Sequence, residues 1–268
     1  MGHTQDQTVT VVIPAFRAAV VIERAIQSVQ AQTLTVSEII IVDDASDDET
    51  ASVVQRIAET DHRIRLIVNG TNIGPGNSRN LAWDCAVTDF VAFLDADDTW
   101  EANKVELQIN WFNEHRNEVL CATDHRVVNE APRASVEPGY SRFSVSDLLI
   151  KNRFTTPSVM VRREITARFD DRLRLSEDYL LWTRIAADHG GVCRLNQQLT
   201  VLHKPIYGAS GLSSNNIAMF RGEITAFGLM RQMKIIGMTK WCIATIWSSM
   251  KFVRRLPTAT VRRRRWKG

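Results

Sequence analysis

The segment Phe90-Val91-Ala92-Phe93-Leu94-Asp95-Ala96-Asp97-Asp98 passes from apolar to acidic without a break. Its first five residues read as a buried strand, and three carboxylates follow within four residues. Burying an unpaired carboxylate is costly, and clustered like charges repel. A divalent cation reverses that balance, because hard cations take oxygen ligands. A strand end holding Asp-x-Asp over a metal is therefore a place to grip a diphosphate. The same residues also fit an acidic turn, with Asp97, Asp98 or Thr99 capping a helix that begins near Trp100.

The elements that must position these groups can be read from periodicity. Strands are predicted at Thr8 to Pro14, Glu38 to Val42, Ile64 to Val68, Phe90 to Leu94 and Val119 to Thr123. Helices are predicted at Val20 to Gln30 (Val21, Ala25, Ile26 and Val29 inward), Glu49 to Ala58, Asn77 to Val87 and Asn103 to His115. Strands alternating with helices at this spacing indicate βαβ units and a mostly parallel sheet. Ligands of such sheets bind at the carboxyl ends of the strands. Three such ends are informative: Pro14-Ala15-Phe16, Asp43-Asp44 and Asp95-Ala96-Asp97-Asp98. Asn129 to Ser146 reads as a loop over the site, Thr156 to Arg162 as a strand, and Leu199 to His203 as a short strand. Ser176 to Asp188 reads as a helix with Ser176 at its N-cap and Glu177 and Asp178 in the first turn. Gly74 and Gly76 are turn residues that permit close backbone approach. Neither G-x-G-x-x-G nor Walker spacing occurs in the chain.

Five segments, VVIPAFRAAVVIERAIQSVQAQT (11–33), EIIIVDDASDDET (38–50), NIGPGNSRNLA (72–82), FVAFLDADD (90–98) and SEDYLLWTRIA (176–186), occur in this order. Together they resemble a family 2 glycosyltransferase with the nucleotide-sugar-binding GT-A fold, over roughly residues 8 to 215. The resemblance implies a Rossmann-like, mostly parallel α/β sheet flanked by helices. It makes residues 1–215 the catalytic domain and 216–268 a C-terminal helical appendage. It places Pro14, Ala15 and Phe16 in the nucleotide pocket, Asp44 at the base edge, and Arg79 by the nucleotide or diphosphate. Asp95 would contact the ribose beside Ala96, and Asp97 would bind Mn²⁺ or Mg²⁺. Asp98 would assist through water or cap the next helix. Asp178 would be the catalytic base of a single, inverting displacement, and Glu177 its helper. Acids in a first helical turn are also ordinary helix chemistry, worth about 0.3–1 kcal/mol. His203 departs from the family's pattern and reads as structural, and Trp182 reads as a core residue.

With 268 residues, 44% apolar and 24% charged, the composition is that of a soluble globular chain. No apolar run reaches spanning length, and Met1 to Thr8 lacks the pattern of a signal peptide. Four scattered cysteines, Cys85, Cys121, Cys193 and Cys242, argue against a zinc site or disulfide framework and for a reducing cytoplasm. The net charge of +3 hides an asymmetry: eleven Lys/Arg and no acid follow Glu223. Residues 1–223 thus hold 22 basic against 30 acidic residues, a charge of −8.

Met238 to Leu256 has helical apolar spacing and leads into Arg262-Arg263-Arg264-Arg265-Trp266-Lys267. That combination fits an anionic membrane surface at the inner face of the cell membrane. The alternative is a helix packed on the core with a basic end. Nucleic acid is not an expected partner, because the body is acidic. The expected substrates are a nucleotide-sugar donor, a UDP-sugar above all, and a saccharide or lipid-linked saccharide acceptor. A sugar nucleotidyltransferase and a catalytically silent nucleotide-binding scaffold at the membrane are the competing readings.

Overall fold

The computed structural model describes residues 7–128, 139–204 and 215–265, with side chains of the last helix described to 254. Its first half is β1 (Val9–Ala15), α1 (Ile22–Gln30), β2 (Glu38–Asp43), α2 (Thr50–Ala58), β3 (Ile64–Val68), α3 (Pro75–Cys85) and β4 (Phe90–Phe93). These strands pair in parallel in the order β3–β2–β1–β4. The reason lies in β1, whose seven residues are all buried. A strand apolar on both faces must be covered on both faces, which parallel βαβ crossovers accomplish. Val11 and Ile13 face a cluster built with α1 and α2, while Val12 faces another that includes Trp83 of α3.

The second half begins with β5 (Thr99–Trp100), α4 (Lys104–Glu114), β6 (Leu120–Val127), β7 (Tyr140–Phe143) and α5 (Val145–Ile150). A 3-10 turn at Thr156–Ser158 leads to β8 (Met160–Arg162), α6 (Glu177–Asp188) and β9 (Val192–Leu202). Two helices, α7 (Asn216–Gln232) and α8 (Met238–Arg265), follow. The sheet continues β4–β8–β6–β9–β5, with β8 and β5 antiparallel to their neighbours and β7 antiparallel on β9. Phe227 and Met230 of α7 are fully buried in the cluster that holds Phe93 and Trp182. Burying each such side chain contributes about 1.5–3 kcal/mol.

Several expectations are corrected. No helix starts near Trp100; Thr99 and Trp100 pair with Val201 and Thr200, and the next helix begins at Lys104. Helix α1 begins at Ile22, which is fully buried, while Val21 is partly buried against the same cluster and Val20 is exposed. Of the loop expected over 129–146, residues 129–138 lie outside the described residues. Residues 140–143 form an edge strand, and Ser144 caps α5 in a reciprocal pairing with Asp147. Only the end of Thr156 to Arg162 is strand, because Pro157 interrupts it.

Lys104 is fully buried beneath this sheet. Its Nζ donates to Gln108 Oε1 at 2.7 Å and lies 3.9 Å from the Trp100 ring centroid. Burial pulls its pKa from 10.5 down to about 7. Between those values the unfolded chain binds the extra proton, so the lysine lowers stability below that window, and the loss fades as pH rises. Lys104→Met should therefore gain about 2 kcal/mol over wild type at pH 6. Urea denaturation should show that gain shrinking by pH 9; a gap independent of pH would refute the buried-amine account.

Candidate active site

The carboxyl ends of β1, β2 and β4 lie on one side of the sheet, as parallel pairing requires. Asp44 follows β2 and is 3% exposed. Its Oδ1 accepts from Asn69 Nδ2 and the Ile73 backbone N–H, both at 2.9 Å, and its Oδ2 from the Gly74 N–H at 2.8 Å. Gly74, at φ 88°, is the N-cap of α3 and Pro75 its first residue. The carboxylate expected at a base edge thus pins the loop that launches α3. It does not line the cavity described below, and neither does Ala15.

Arg79, on α3, is 5% exposed and reaches two distant acids. Nη2 donates to Asp95 Oδ1 at 2.5 Å, and Nη1 to Glu177 Oε1 at 3.5 Å. The Phe169 ring lies 5.4 Å away. Burial alone would favour a neutral guanidine, but Asp95 and Glu177 outweigh it and hold the charge. Gly76 lets the elements meet: a Cβ there would stand 3.1 Å from Glu177 Cγ.

At the end of β4, the Asp98 N–H donates to Asp95 O at 3.1 Å, folding the acidic segment into a turn. Asp97 Oδ2 pairs with Lys204 Nζ at 2.9 Å, and the Asp97 carbonyl accepts from Arg24. Asp98 Oδ1 accepts from the His203 N–H at 3.1 Å, which replaces the expected helix cap. Burial, then the charges of Asp95 and Asp97, push Asp98 up to about 8. The His203 ring bonds Thr99 Oγ1 at 2.9 Å, and burial keeps its pKa low.

Ser176 occupies the N-cap of α6, yet its side chain makes no cap bond and its φ is 63°. Holding a non-glycine residue in this left-handed region costs about 1–3 kcal/mol. Asp178 keeps partial exposure. Its Oδ1 accepts from Tyr179 N–H at 2.7 Å, and Oδ2 faces Asn152 Nδ2 at 3.4 Å and Thr156 Oγ1 at 3.5 Å. Loss of water around the pair raises both acids, Glu177 up to about 7. Trp182 is fully buried against Phe93 and Phe169, as expected of a core residue.

One cavity of about 920 Å³ gathers these groups. Pro14, Phe16, Arg79, Asp95, Ala96, Asp97, Asp98, Glu177 and Asp178 all line it. Lys204, Asn152 and Thr156 join them without having been singled out in the sequence. Lys204 stands beside His203, but nothing in its spacing marks it as the partner of Asp97.

Among the described residues, no three Asp, Glu, His or Cys side chains already converge as a coordination shell. The donor chemistry nonetheless fits a hard divalent cation. Three carboxylates share one turn, and burial, then the charges of Asp95 and Asp97, drive Asp98 toward its protonated form. The residues that would hold the ion are Asp97, Asp95 and Asp98.

The model of glycosyl transferase family 2 matches residues 10–167, and the chain belongs to that family. An uncharacterised glycosyltransferase of Rickettsia felis is 32% identical over 194 residues, covering 70% of this chain and 32% of the relative. The chain thus spans about a third of that protein's length. The E. coli UDP-Glc:α-D-GlcNAc-diphosphoundecaprenol β-1,3-glucosyltransferase WfgD is 29% identical over 69% of this chain and 72% of its own. The mannosyltransferase PcManGT of Pyrobaculum calidifontis, solved with GDP-Man and Mn²⁺, superposes with a TM-score of 0.70 at 21% identity. It covers 96% of this chain and 74% of its own. TarS of S. aureus in complex with UDP-GlcNAc gives 0.68 at 19%, over 82% and 66%. The GT-A fold is therefore shared.

The Arg79 fork makes a direct prediction. In metal-free buffer, Arg79→Ala should lose about 3 kcal/mol at pH 8, because two carboxylates are left without their cation. The loss should narrow at pH 5, where Glu177 takes up a proton in the folded state. Equal losses at both pH values in urea denaturation would contradict the assigned coupling.

Proposed function

We propose that this chain is an inverting, divalent-cation-dependent glycosyltransferase. It moves a sugar from a nucleotide-sugar, a UDP-sugar above all, to a hydroxyl of a saccharide or lipid-linked saccharide. The observation that carries the reading is the Arg79 fork, which ties the Asp95 turn to the Glu177-Asp178 turn across one cavity. UDP-sugars and lipid-linked acceptors are named for relatives, and a nucleotide-sugar is bound in both fold neighbours described above.

In this reading Asp95 and Asp97 lie at the diphosphate end and Asp178 at the acceptor end. Asp178 Oδ2 takes the proton of the acceptor hydroxyl. The freed oxygen bonds the anomeric carbon as the bond to the diphosphate breaks, and that electron pair leaves with the nucleoside diphosphate. One base and one displacement invert the anomeric centre. Asn152 and Thr156 orient the carboxylate. A bound cation supplies compensation for the negative charge of the departing diphosphate. The exposed apolar residues of α8 and the basic run at its end support contact with an anionic membrane at its inner face.

Burial raises the pKa of Asp178 above the usual carboxylate value, and a base must be unprotonated, so transfer should rise with pH above the range of an ordinary carboxylate. Asp178→Asn should lose about 10²–10⁴-fold in kcat while keeping donor affinity. Nucleoside diphosphate release with acceptor present is the readout. Turnover retained within tenfold would exclude Asp178 as the base, and pyrophosphate release would favour a nucleotidyltransferase.

A further inference from the structure

Helix α5 is six residues long and ends without a glycine cap: Lys151, its C-cap, is extended at φ −160° and ψ 134°. The last four carbonyls of a helix have no partner within it. Two of them are taken here by groups from distant parts of the chain. The hydroxyl of Tyr179, the neighbour of Asp178, donates to the Leu148 carbonyl at 2.7 Å. The Ile150 carbonyl accepts twice from α8, from the Trp247 indole N–H at 3.0 Å and from Lys251 Nζ at 3.2 Å. Lys251 also pairs with Glu223 of α7 at 3.1 Å, so three helices meet at one ammonium. A cation is favourable at this end of a helix.

Asn152 stands two residues past that carbonyl. Its Oδ1 accepts from the Phe154 N–H at 3.2 Å, which leaves the amide nitrogen facing Asp178 Oδ2 at 3.4 Å. A hydrogen bond of that length is near its limit, so small shifts make or break it. Lys151 to Thr155 form neither helix nor strand, and the stretch is fixed by its two ends. One end is the buried Phe154, and the other is the grip of α8 on Ile150. Helix α8 lies beyond the 10–167 segment that the family model matches. Its other anchors are separate: Ala244 is buried in the core, and Phe252 stacks on Phe220 with centroids 4.5 Å apart. Removing the two donors therefore loosens Ile150 and leaves the helix in place.

We infer that Trp247 and Lys251 are positioning residues for Asp178. They hold the end of α5 where Asn152 stays within reach of the carboxylate, and they touch none of the reacting atoms. Their role in turnover rests on Asp178 being the base, whereas the grip on Asn152 rests on the hydrogen bonds alone.

Trp247→Phe and Lys251→Met, made together in the full chain, remove both donors and keep most of the bulk. The side-chain amide resonances of Asn152, identified by their absence from Asn152→Ala, should move in this double variant. UDP release from UDP-glucose with Mn²⁺, water taking the acceptor's place, should fall about tenfold in kcat with an unchanged KM for the donor. Placed on Asn152→Ala, the same two substitutions should add almost no further loss, because the effect passes through that side chain. Lys251→Met alone should lose part of the activity, and Lys251→Arg should keep it. Unmoved resonances, a kcat loss under about threefold, additive losses with Asn152→Ala, or equal losses in Lys251→Met and Lys251→Arg would each overturn the positioning role. A wild-type chain that releases no UDP removes the transferase reading instead, and the Asn152 resonances then decide the grip by themselves.

Discussion

A single buried guanidinium holds the two halves of the site in one place. Arg79 spans Asp95, at the end of a sheet strand, and Glu177, at the start of a helix 98 residues later in the chain. Glu177 is buried and Asp95 half-buried, and the buried arginine would be costly without their charge. The contact ties the acidic turn to the Glu177-Asp178 turn at one cavity.

The supporting interactions act through that arginine. Asp44 gathers three N–H groups and fixes where α3 begins, which fixes where Arg79 stands. Gly76 leaves room for the Glu177 side chain, since a Cβ there would stand 3.1 Å from its Cγ. Lys204 balances Asp97, while Asp98 is left with a backbone N–H and a raised pKa. Within the acidic turn Asp95 and Asp97 are thus paired with cations of the chain, and Asp98 is not. Residues of α7 and α8 complete the lining of the cavity.

Much of this was readable from residue order. The strands β1, β2 and β4 announce themselves because burial on both faces makes them continuously apolar, and α4 and α6 because their periodicity spans three turns. The short strands β5 and β8 are two and three residues long, below any periodic signal. In β9 the polar run Arg194, Asn196, Gln197 and Gln198 hides a strand whose pairing shifts register opposite Asp124. Of the site, the acidic turn and the Glu177-Asp178 pair were evident as chemistry. That Asp44 spends its oxygens on Ile73 and Gly74 was not, since a strand-end carboxylate looks the same whichever donor meets it. The Asp97–Lys204 pair joins residues that only the fold brings near.

The most direct test of the central claim is a crystal structure of the chain with a non-hydrolysable UDP-sugar and Mn²⁺. The account predicts the diphosphate and ion against Asp95 and Asp97, the anomeric carbon facing Asp178 Oδ2 across room for one acceptor hydroxyl, and Arg79 still forked to Asp95 and Glu177. A nucleotide bound elsewhere, or an anomeric carbon on the side away from Asp178, would contradict it.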